Sequence, residues 1–585
     1  MRKYGDTLLN IIILSVVLVG TAMWLRVFYA SLLAYRSPLH AVQLPVQPEP
    51  PGQTRSVVIV LVDGLGEETF EGIEFPVLDR LRETGARFIL TSPPPTYDQT
   101  TWATLITGAG PELNDAPPVD LPTGAVRPLA VDTLFHRAAD FGLTPVLVGP
   151  PVWQTLLPAD PRFRVYPARQ SGPTGDRETL ETALALLEED PPALMVVHFT
   201  RLGQLAAGSG PNSDSYRQAA LTLDSYIGRL AASLDLSRSV LLFTSSHGYT
   251  PEGGTGGADP AVSRTPLVAV GQGIIPGEYS PAPQTDLAPT VSLLLGIPFP
   301  TATQGRPLTE MIRLSERDRA VTQINLARQR VALVQEYLRL IEASPMPEQV
   351  VQDLEQAHQA FRARNISGAM ELARLTRQEA DNLFAAARHQ RLEAERRPRL
   401  VLVILLVTAW LALMWRRRNA FSGLVVIAAA GVIVVFHSLY QLQGYEYTLS
   451  TTANHTAWAI DVARFTAAGM LAGGGILLFF LLFTEEENWL VLLNAGYSFA
   501  LLTVFALAVP LAWAFWQNGW AVHWSLPDAG TTFWQFLAVF QTLTAVMFGL
   551  LLPWPVMALS RLAGFIRRLT GRNRTEPEDV LPLEL

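Results

Sequence analysis

The sequence predicts a membrane protein with an α/β domain, a helical stalk and an all-α membrane domain, with about six transmembrane helices in total. Between residues 55 and 310, short apolar runs alternate with helical patterns, which favours a mostly parallel sheet flanked by helices. Residues 311–398 are rich in helix-forming residues. Apolar stretches near the N-terminus and after residue 399 are long enough to cross the ~30 Å hydrocarbon core of a bilayer.

Composition supports the membrane assignment and excludes several classes of protein. The chain of 585 residues exceeds what one hydrophobic core usually holds, and only 16% of it is charged while 49% is hydrophobic. The absence of cysteine excludes disulfides, thiolate metal sites such as iron–sulfur clusters, and cysteine nucleophiles. The net charge of −8, without a nucleic-acid-binding motif, argues against a nucleic-acid partner.

Residues 1–35 are predicted to form an N-terminal transmembrane anchor. The stretch 7–25 carries no charge and follows Arg2 and Lys3. A cleaved signal peptide is the alternative, but its apolar region is usually shorter and is followed by a small-residue cleavage site, so we favour the anchor. Residues 36–54 are rich in proline, and we expect an extended linker that does not pack.

The α/β domain is assigned to residues 55–310 from its predicted strands, VVIVLVDG, TPVLVGP, PALMVVHF, SVLLFTSSHG and TPLVAVG. Such β-branched and leucine-rich runs are typical of strands covered on both faces of a parallel sheet. Helical patterns such as FPVLDRLRETGARF and SYRQAALTLDSYIGRLAASL separate them. Because ligands bind outside the carboxyl ends of parallel strands, the polar residues after these runs are candidates for a functional site.

Several motifs of this domain resemble the alkaline phosphatase superfamily, including its type I phosphodiesterase and sulfatase-like branches. They are VDG at residues 62–64, TSSHG at 244–248, GGTGG at 253–257 and the closing run TDLAPTVSLLLGIPFPTATQGRPL at 285–308. The resemblance covers a little under half of the chain. It implies two divalent cations that clamp the attacking and leaving oxygens while a Thr or Ser attacks phosphorus or sulfur.

The metal ligands that the resemblance implies are mostly replaced in this chain. Asp63 stands at the family's first Asp, and His247 keeps the His of its Asp-His pair. Neutral side chains occupy the other ligand positions: Thr200, Gln204, Ser246 and Thr255. Because Asp and His are the usual zinc ligands besides Cys, we expect at most one weakly bound divalent cation, at Asp63 and His247, and no other cofactor. The alternative is that Asp63 caps a turn and His247 is a hydrogen-bonded residue at a strand end.

The position of the nucleophile is also altered. Counting back from the TG pair at residues 107–108, which resembles a family motif, the usual Thr or Ser falls on Asp98. Thr96, Thr100 and Thr101 lie nearby, and the sequence leaves their register open. Two further polar residues are assigned structural roles: His198 as a core histidine, and Asp224 as a packing or capping residue.

The helical stalk, residues 311–398, is predicted to contain three helices, because VTQINLARQRVALVQEYLRLIEA and two following segments place apolar residues at helical spacing. The membrane domain, residues 399–560, is predicted to contain five helices at 400–415, 421–442, 465–483, 489–516 and 533–559. Gly469 and Gly473 form a small-xxx-small pair suited to close helix contact. The spans contain no pair of histidines placed to bind haem.

Charges flanking the spans predict the orientation. Arg2 and Lys3 precede the first span, arginines at 416–418 follow the second, and several more lie in a predicted cytoplasmic tail at 561–585. By the positive-inside rule, both termini are cytoplasmic and the α/β domain lies on the outer face of a bacterial-type cell membrane.

These observations together predict a pseudoenzyme. We expect a non-catalytic accessory or structural subunit of a larger membrane complex, with the lipid bilayer and other membrane proteins as partners. An energy-transducing complex is one setting for such a subunit. Two alternatives stay open, namely a metal-dependent phosphodiesterase, phosphatase or sulfatase acting on lipid head groups or envelope glycans, and a sensor that binds a phosphorylated or sulfated ligand.

Overall fold

A computed structural model describes residues 2–189, 191–416, 418, 422–482 and 488–571. The ends of two predicted spans at residues 421 and 483, the arginine at 417 and the tail beyond residue 571 lie outside these ranges. Among the described residues, six helical segments are long and apolar enough to cross a membrane, which agrees with the predicted number.

One mixed sheet forms the centre of the α/β domain. Within the described ranges it has nine strands in the order β4-β3-β5-β1-β6-β7-β2-β8, with β9 also paired to β2. The strands are β1 (Ser56–Val62), β2 (Ala86–Thr91), β3 (Val146–Gly149), β4 (Arg164–Pro167), β5 (Leu194–Phe199), β6 (Ser239–Ser245), β7 (Arg264–Gly271), β8 (Gly277–Glu278) and β9 (Ala282–Pro283). Neighbouring strands from β4 to β6 pair in parallel, whereas β7 runs antiparallel to both β6 and β2.

Helices connect these strands and continue through the stalk into the membrane domain. They are α1 (Arg2–Leu33), α2 (Glu67–Glu71), α3 (Pro76–Thr84), α4 (Asp98–Thr107), α5 (Leu134–Asp140), α6 (Trp153–Leu156), α7 (Gly172–Glu189), α8 (Arg201–Ser209), α9 (Asp214–Ala232), α10 (Pro260–Ser263), α11 (Leu287–Leu295), α12 (Glu316–Leu340), α13 (Glu348–Arg362), α14 (Ile366–Arg416), α15 (Gly423–Leu442), α16 (His455–Leu481), α17 (Trp489–Asn518), α18 (Ala529–Leu551) and α19 (Pro553–Gly571).

Both faces of the sheet are covered, as the apolar runs predicted. Val57, Ile59 and Leu61 of β1 face one core, to which α4, α5 and α11 contribute, and the alternate residues of β1 face a second core with α7, α8 and α9. The five predicted strands are confirmed as β1, β3, β5, β6 and β7. The amphipathic helix predicted to end at the glycine of FPVLDRLRETGARF is confirmed, because α3 stops at Thr84, directly before Gly85. The strand β2, which follows it and pairs with β7, was not predicted.

Asp224 has the capping role that the sequence predicted. Its carboxylate, buried on α9, accepts hydrogen bonds from the backbone N–H groups of Val77 at 2.8 Å and Leu78 at 2.9 Å. These are first-turn groups of α3, which lack partners within their own helix. Asp224 therefore ties α3 to α9 from across the domain.

Replacing Asp224 with Ala should destabilise the α/β domain by about 1–3 kcal/mol, because two backbone donors lose a buried charged acceptor. We expect the unfolding midpoint of the detergent-solubilised protein, followed by tryptophan fluorescence, to fall by roughly 5 °C. Asp214→Ala is the matched control, since Asp214 is an exposed residue at the start of the same helix. Equal midpoints for the two variants would contradict the capping role.

The linker before the domain is extended but differs from the unpacked spacer that its prolines suggested. Arg36 forms a bidentate ion pair with Asp115 of the α/β domain, at 2.9 and 2.7 Å. The Asn325 amide of α12 donates to the Glu49 carbonyl at 3.2 Å. The segment therefore follows the surface of the domain and contacts the stalk.

The stalk helices form a bundle that also packs against the α/β domain. Apolar residues of α12, α13 and α14 make one cluster. Leu333 and Tyr337 of α12, with Ile341 directly after it, pack in another cluster with residues of the domain. The helix α14 continues without interruption from the stalk into the membrane domain. The domain boundary assigned at residues 398 and 399 therefore falls inside one helix. The composition of the chain changes there from charged to apolar, but the helical backbone of α14 continues.

The membrane helices pack around α17 and α18. Residues from α1, α15, α16, α17, α18 and α19 share one apolar core. Gly469 and Gly473 lie where α15 and α16 approach closely, since a Cβ atom added at either would come within 2.7 Å of a backbone carbonyl of α15. The loops at 443–454 and 519–528 both contact the α/β domain or the stalk, so they lie on the same side of the helices.

Candidate functional site

The predicted site residues meet at one edge of the sheet. Asp63 follows β1, Thr200 follows β5 and Ser246 follows β6, and these three strands are neighbours. Asp98, at the first position of α4, joins them from the helix that covers this edge. Asp63, Asp98, Thr200 and Gln204 line a cavity of about 330 Å³.

The carboxylate of Asp63 is enclosed by protein donors and is only 2% exposed. Its Oδ1 atom accepts hydrogen bonds from the Trp102 indole N–H at 2.7 Å and from the Ser246 hydroxyl at 2.6 Å. Its Oδ2 atom lies 3.0 Å from Nε2 of His198. Burial raises the pKa of Asp63, but the neighbouring His198 and His247 and the Ser246 hydroxyl hold it below its usual value.

His198 presents a proton to Asp63. The Trp153 indole N–H, which can only donate, lies 2.9 Å from Nδ1 of His198. Nδ1 is therefore the acceptor, and in a neutral ring the proton is on Nε2, facing Asp63. This contact is too bent to be a well-formed hydrogen bond, so it is mainly electrostatic. The expected core histidine is thus buried and partnered, and it also supports the site carboxylate.

His247 is held between two acceptors. Its Nε2 atom lies 2.5 Å from Oδ1 of Asp98, and its Nδ1 atom lies 2.9 Å from the carbonyl oxygen of Gly248. Burial lowers the pKa of the imidazole, but the hydrogen bond and charge of Asp98 raise it to about 9. Both ring nitrogens are therefore engaged by protein oxygen atoms, and a metal ion at Nε2 would have to displace Asp98 and a proton.

The hydroxyl groups of the threonines around Asp98 form hydrogen bonds with backbone carbonyls. The hydroxyls of Thr96, Thr100 and Thr101 donate to the carbonyls of Gly257, Pro117 and Tyr97 respectively. Each is buried. Of the candidates for the nucleophile position, it is the Asp98 carboxylate that lines the cavity.

Thr200 and Gln204 lie on the far side of the cavity and contact each other. The Gln204 amide donates to the Thr200 hydroxyl at 3.3 Å.

Asp176, which the sequence analysis missed, accepts hydrogen bonds from the backbone N–H groups of Thr200 at 3.1 Å and Arg201 at 3.3 Å, and so caps α8. Burial raises the pKa of Asp176 to about 6, although these backbone donors lower it.

This arrangement does not fit the two-metal centre that the resemblance implies. Oδ1 of Asp63 already accepts two hydrogen bonds, its Oδ2 faces the His198 ring, and both nitrogens of His247 contact protein oxygen atoms. Among the residues that the structure describes, no group of three or more His, Asp or Glu side chains is arranged to hold a metal ion. Hydrogen bonds from Trp102 and Ser246, and the nearby His198 ring, surround the Asp63 carboxylate in place of a cation.

Restoring the family carboxylate with Ser246→Asp should destabilise the domain by about 2–4 kcal/mol at neutral pH, because a second charge would be buried against Asp63. The added carboxyl would have a raised folded-state pKa, so the loss should be present above that pKa and relieved as the pH falls through it. Unfolding midpoints from pH 5 to 8 measure this. Ser246→Asn, of similar shape but neutral, should show no such pH dependence, and equal profiles would refute the expectation.

The glycine-rich loop at residues 253–257 contacts the membrane domain. Thr255, at the last vestigial ligand position, donates to the Thr96 carbonyl at 2.8 Å. On either side of it, the loop meets Ser450 between α15 and α16, where the Gly257 N–H donates to the Ser450 hydroxyl at 2.8 Å. The Thr250 hydroxyl donates to the Ser450 carbonyl at 3.2 Å. A segment that resembles a metal-binding loop therefore joins the two domains.

Sequence reasoning missed the residues that complete the site. Trp102, Trp153 and Asp176 do not belong to any of the family motifs. Ser450 is separated by 193 positions from Gly257, the residue of the loop that it contacts. Trp102 lies one turn after Asp98 on the helix that ends at the TG pair, and this spacing was the local signal that its indole could reach the site. The others depend on contacts between distant segments.

The strand order and the residues at this edge define an alkaline-phosphatase-like domain. Residues 57–114 and 138–260 match the family model of type I phosphodiesterase/nucleotide pyrophosphatase. The α/β domain is therefore alkaline-phosphatase-like in fold and is similar in sequence to type I phosphodiesterases over these residues. The chain also contains apolar helices of membrane-spanning length.

Two curated human proteins are similar in sequence to part of this chain. The human GPI ethanolamine phosphate transferase 2 catalytic subunit is 26% identical over 296 residues, which are 45% of this chain and 29% of the relative. The human transferase 3 catalytic subunit is 25% identical over 230 residues, 37% of this chain and 20% of the relative. This chain thus spans less than a third of the length of these curated relatives.

Solved structures with a similar arrangement include human ectonucleotide pyrophosphatase/phosphodiesterase 5, with 12% identity and a TM-score of 0.36 over 44% of this chain and 100% of that chain. A 2-O GAG sulfatase matches with 16% identity and a TM-score of 0.36, over 45% of this chain and 74% of that chain.

Proposed function

We propose that this protein is a non-catalytic, membrane-anchored accessory or structural subunit of a larger membrane complex, with its alkaline-phosphatase-like domain on the outer face of a bacterial-type cell membrane. One observation carries the non-catalytic part. Asp63, the retained carboxylate of the vestigial metal site, is buried and already accepts hydrogen bonds from Trp102 and Ser246 beside the His198 ring.

The protein donors around Asp63 make the binding of a metal ion there energetically costly. A metal ion at Oδ1 of Asp63 would compete with the Trp102 and Ser246 hydrogen bonds, and each buried donor left without an acceptor would cost about 1–3 kcal/mol. A metal ion at Oδ2 would instead have to displace the His198 ring from its 3.0 Å contact. Losing one supporting partner of a metal ligand already costs roughly 10- to 100-fold in affinity or activity. The substitutions at residues 200, 204, 246 and 255 remove ligands themselves, which is a larger loss.

The contact between the glycine-rich loop and Ser450 supports the structural role. In a hydrolase, the loop beside the metals must leave space for a substrate. Here residues 250–257 are bonded to the loop between α15 and α16 through Ser450, and the Thr448 hydroxyl donates to Asp259 at 2.7 Å. The domain is thereby held in a defined position over the membrane helices, as a scaffold requires.

Metal content and turnover test the non-catalytic proposal. We expect the purified full-length protein to contain no stoichiometric zinc or manganese by elemental analysis. We also expect no hydrolysis of a nitrophenyl phosphodiester or sulfate above background with excess metal added. Asp63→Asn, which keeps the side-chain shape, and Glu252→Gln, at an exposed residue nearby, are the paired variants. Bound metal, or turnover lost in Asp63→Asn alone, would overturn the proposal.

Copurification tests the accessory role separately. Native membranes solubilised in a mild detergent should release this chain in a complex with other membrane proteins. The same chain migrating alone in a mild detergent would contradict the accessory role, whatever its activity.

The second candidate is a metal-dependent phosphoryl-transfer or hydrolytic enzyme acting on lipid head groups. Similarity to catalytic subunits of GPI ethanolamine phosphate transferases favours it, as does the cavity of about 330 Å³ beside Asp63, Asp98 and Asp176. This candidate requires the Asp63 hydrogen bonds to open on metal binding. It predicts the metal content and Asp63-dependent turnover described above, so the same experiment decides between the two.

A further inference from the structure

A second, larger cavity lies between the α/β domain and the membrane helices. Its volume is about 690 Å³. Its walls come from α1, from the beginning of α16 and from α18, and its roof comes from the loops of the domain. It borders the cavity of the vestigial site, since Ala207 and Tyr249 line both. The two cavities are therefore neighbours, one beside the sheet edge and one beside the membrane helices.

The two ends of this cavity differ in chemistry. Side chains from the membrane helices are apolar and aromatic, including Leu25, Trp458 and Phe540. The roof is polar, with Asp120 and with Tyr97, whose hydroxyl lies 3.2 Å from Nε2 of His455. A cavity that is apolar toward the membrane and polar toward the domain matches a molecule with a tail and a head group.

Arg26 supplies a charge at this boundary. It lies on α1 within a segment long and apolar enough to span a membrane, and it lines the cavity. Within the described part of the chain it forms no ion pair or side-chain hydrogen bond. A charged side chain in a membrane helix usually pairs with an opposite charge, and a phosphate is a strong partner for a guanidinium group.

Asp120 lines the same cavity but forms no ion pair with Arg26 in the described part of the chain. The nearby charge of Asp98 raises the pKa of Asp120. Its Oδ1 atom accepts from the Gln99 N–H at 3.2 Å. The roof therefore offers hydrogen-bonding groups, and Arg26 offers a lasting positive charge.

We propose that this cavity binds a single membrane phospholipid, with its acyl chains between α1, α16 and α18 and its phosphate at Arg26. The lipid would fill the space between the domain and the helices and would strengthen their association. This site goes beyond the proposed function and does not depend on the loss of the metal ligands. Thr255 lines the roof of the cavity, but the proposed contacts with the lipid come from Arg26 and from α1, α16 and α18.

Binding to matched lipids tests the site. The full-length protein, delipidated in detergent, is titrated with phosphatidylglycerol and with a diacylglycerol of the same chains, and bound lipid is counted by native mass spectrometry. We expect phosphatidylglycerol to bind roughly tenfold more tightly, the effect of one charge-assisted hydrogen bond. Arg26→Gln should remove this preference while leaving the binding of diacylglycerol unchanged.

Substitution of neighbouring residues on α16 tests the position of the chains. Ala459 lines the cavity, and Ile460 is 47% exposed and does not line it. Ala459→Trp should abolish the binding of both lipids, and Ile460→Trp should leave both unchanged. If Ala459→Trp fails to fold, Arg26→Gln alone decides the outcome. The absence of bound lipid, equal affinity of the wild type for the two lipids, or copurification of a phosphate-free isoprenoid would overturn the proposal.

Discussion

Asp63→Ala is expected to lower the stability of the α/β domain by about 3–5 kcal/mol, the usual loss when one partner of a buried charged network is removed. The indole of Trp102, the hydroxyl of Ser246 and the Nε2 proton of His198 would all remain buried without their acceptor. The measurement is the unfolding midpoint in detergent, where a decrease of about 10 °C or more is expected.

A graded series separates stability from catalysis. Asp63→Asn keeps an acceptor for Trp102 and Ser246 but turns an amide donor toward His198, so we expect an intermediate loss of stability. In an enzyme, both variants would lose activity equally, because each removes the metal-binding charge. Wild-type stability in Asp63→Ala would show that the hydrogen bonds to this carboxylate contribute little, and would contradict the structural role of the site.

Gly254→Ala is expected to separate the glycine-rich loop from the membrane domain. A Cβ atom at residue 254 would lie 1.8 Å from the carbonyl oxygen of Ser450 and 2.7 Å from the backbone N of Thr452. Backbone atoms cannot move aside as a flexible side chain can, so one loop must shift. The hydrogen bond from the Gly257 N–H to the Ser450 hydroxyl would then be lost.

Hydrogen–deuterium exchange measures this separation. We expect amides near residues 448–452 to exchange at least about tenfold faster, which corresponds to roughly 1.4 kcal/mol of lost protection. Ser450→Ala, which removes one hydroxyl, should have a smaller effect. Gly124→Ala is the matched control, because its Cβ atom would have no neighbour within 4 Å. The same exchange in Gly254→Ala and Gly124→Ala would contradict the loop contact.

Much of the fold could be predicted because its signals are local. The apolar run before Asp63 has the composition of a strand buried on both faces, and it is buried at every residue from Ser56 to Val62. The spacing of apolar residues in the stalk similarly predicted α12. The strand β2 was missed because ARFILT follows a helical pattern directly, and its pairing with β7 joins segments far apart in the chain.

The substituted positions of the site were visible in the sequence, but their present interactions were not. Ser246 and Thr255 could be identified by their places in motifs, whereas the hydrogen bond from Ser246 to Asp63 links residues separated by 183 positions. The position of Asp98 opposite His247 likewise requires α4 to lie over the ends of β1 and β6. The linker at residues 36–54 was expected to be unpacked. Its contacts with Asp115 and Asn325 could not be predicted, because these residues lie in distant segments of the chain.

The sequence by itself predicted the α/β class, the helices of the stalk, six segments long and apolar enough to span a membrane, and neutral residues at positions where the resemblance implies metal ligands. Each of these follows from local composition or from the identity of a residue in a motif. Only the tertiary structure decided what replaced those ligands: the donors around Asp63, the contact of the glycine-rich loop with Ser450, and the cavity beside Arg26. Hydrogen bonds and cavities of this kind depend on distances between side chains that are remote in the chain, and such distances exist only once the sheet, the stalk and the membrane helices have packed together.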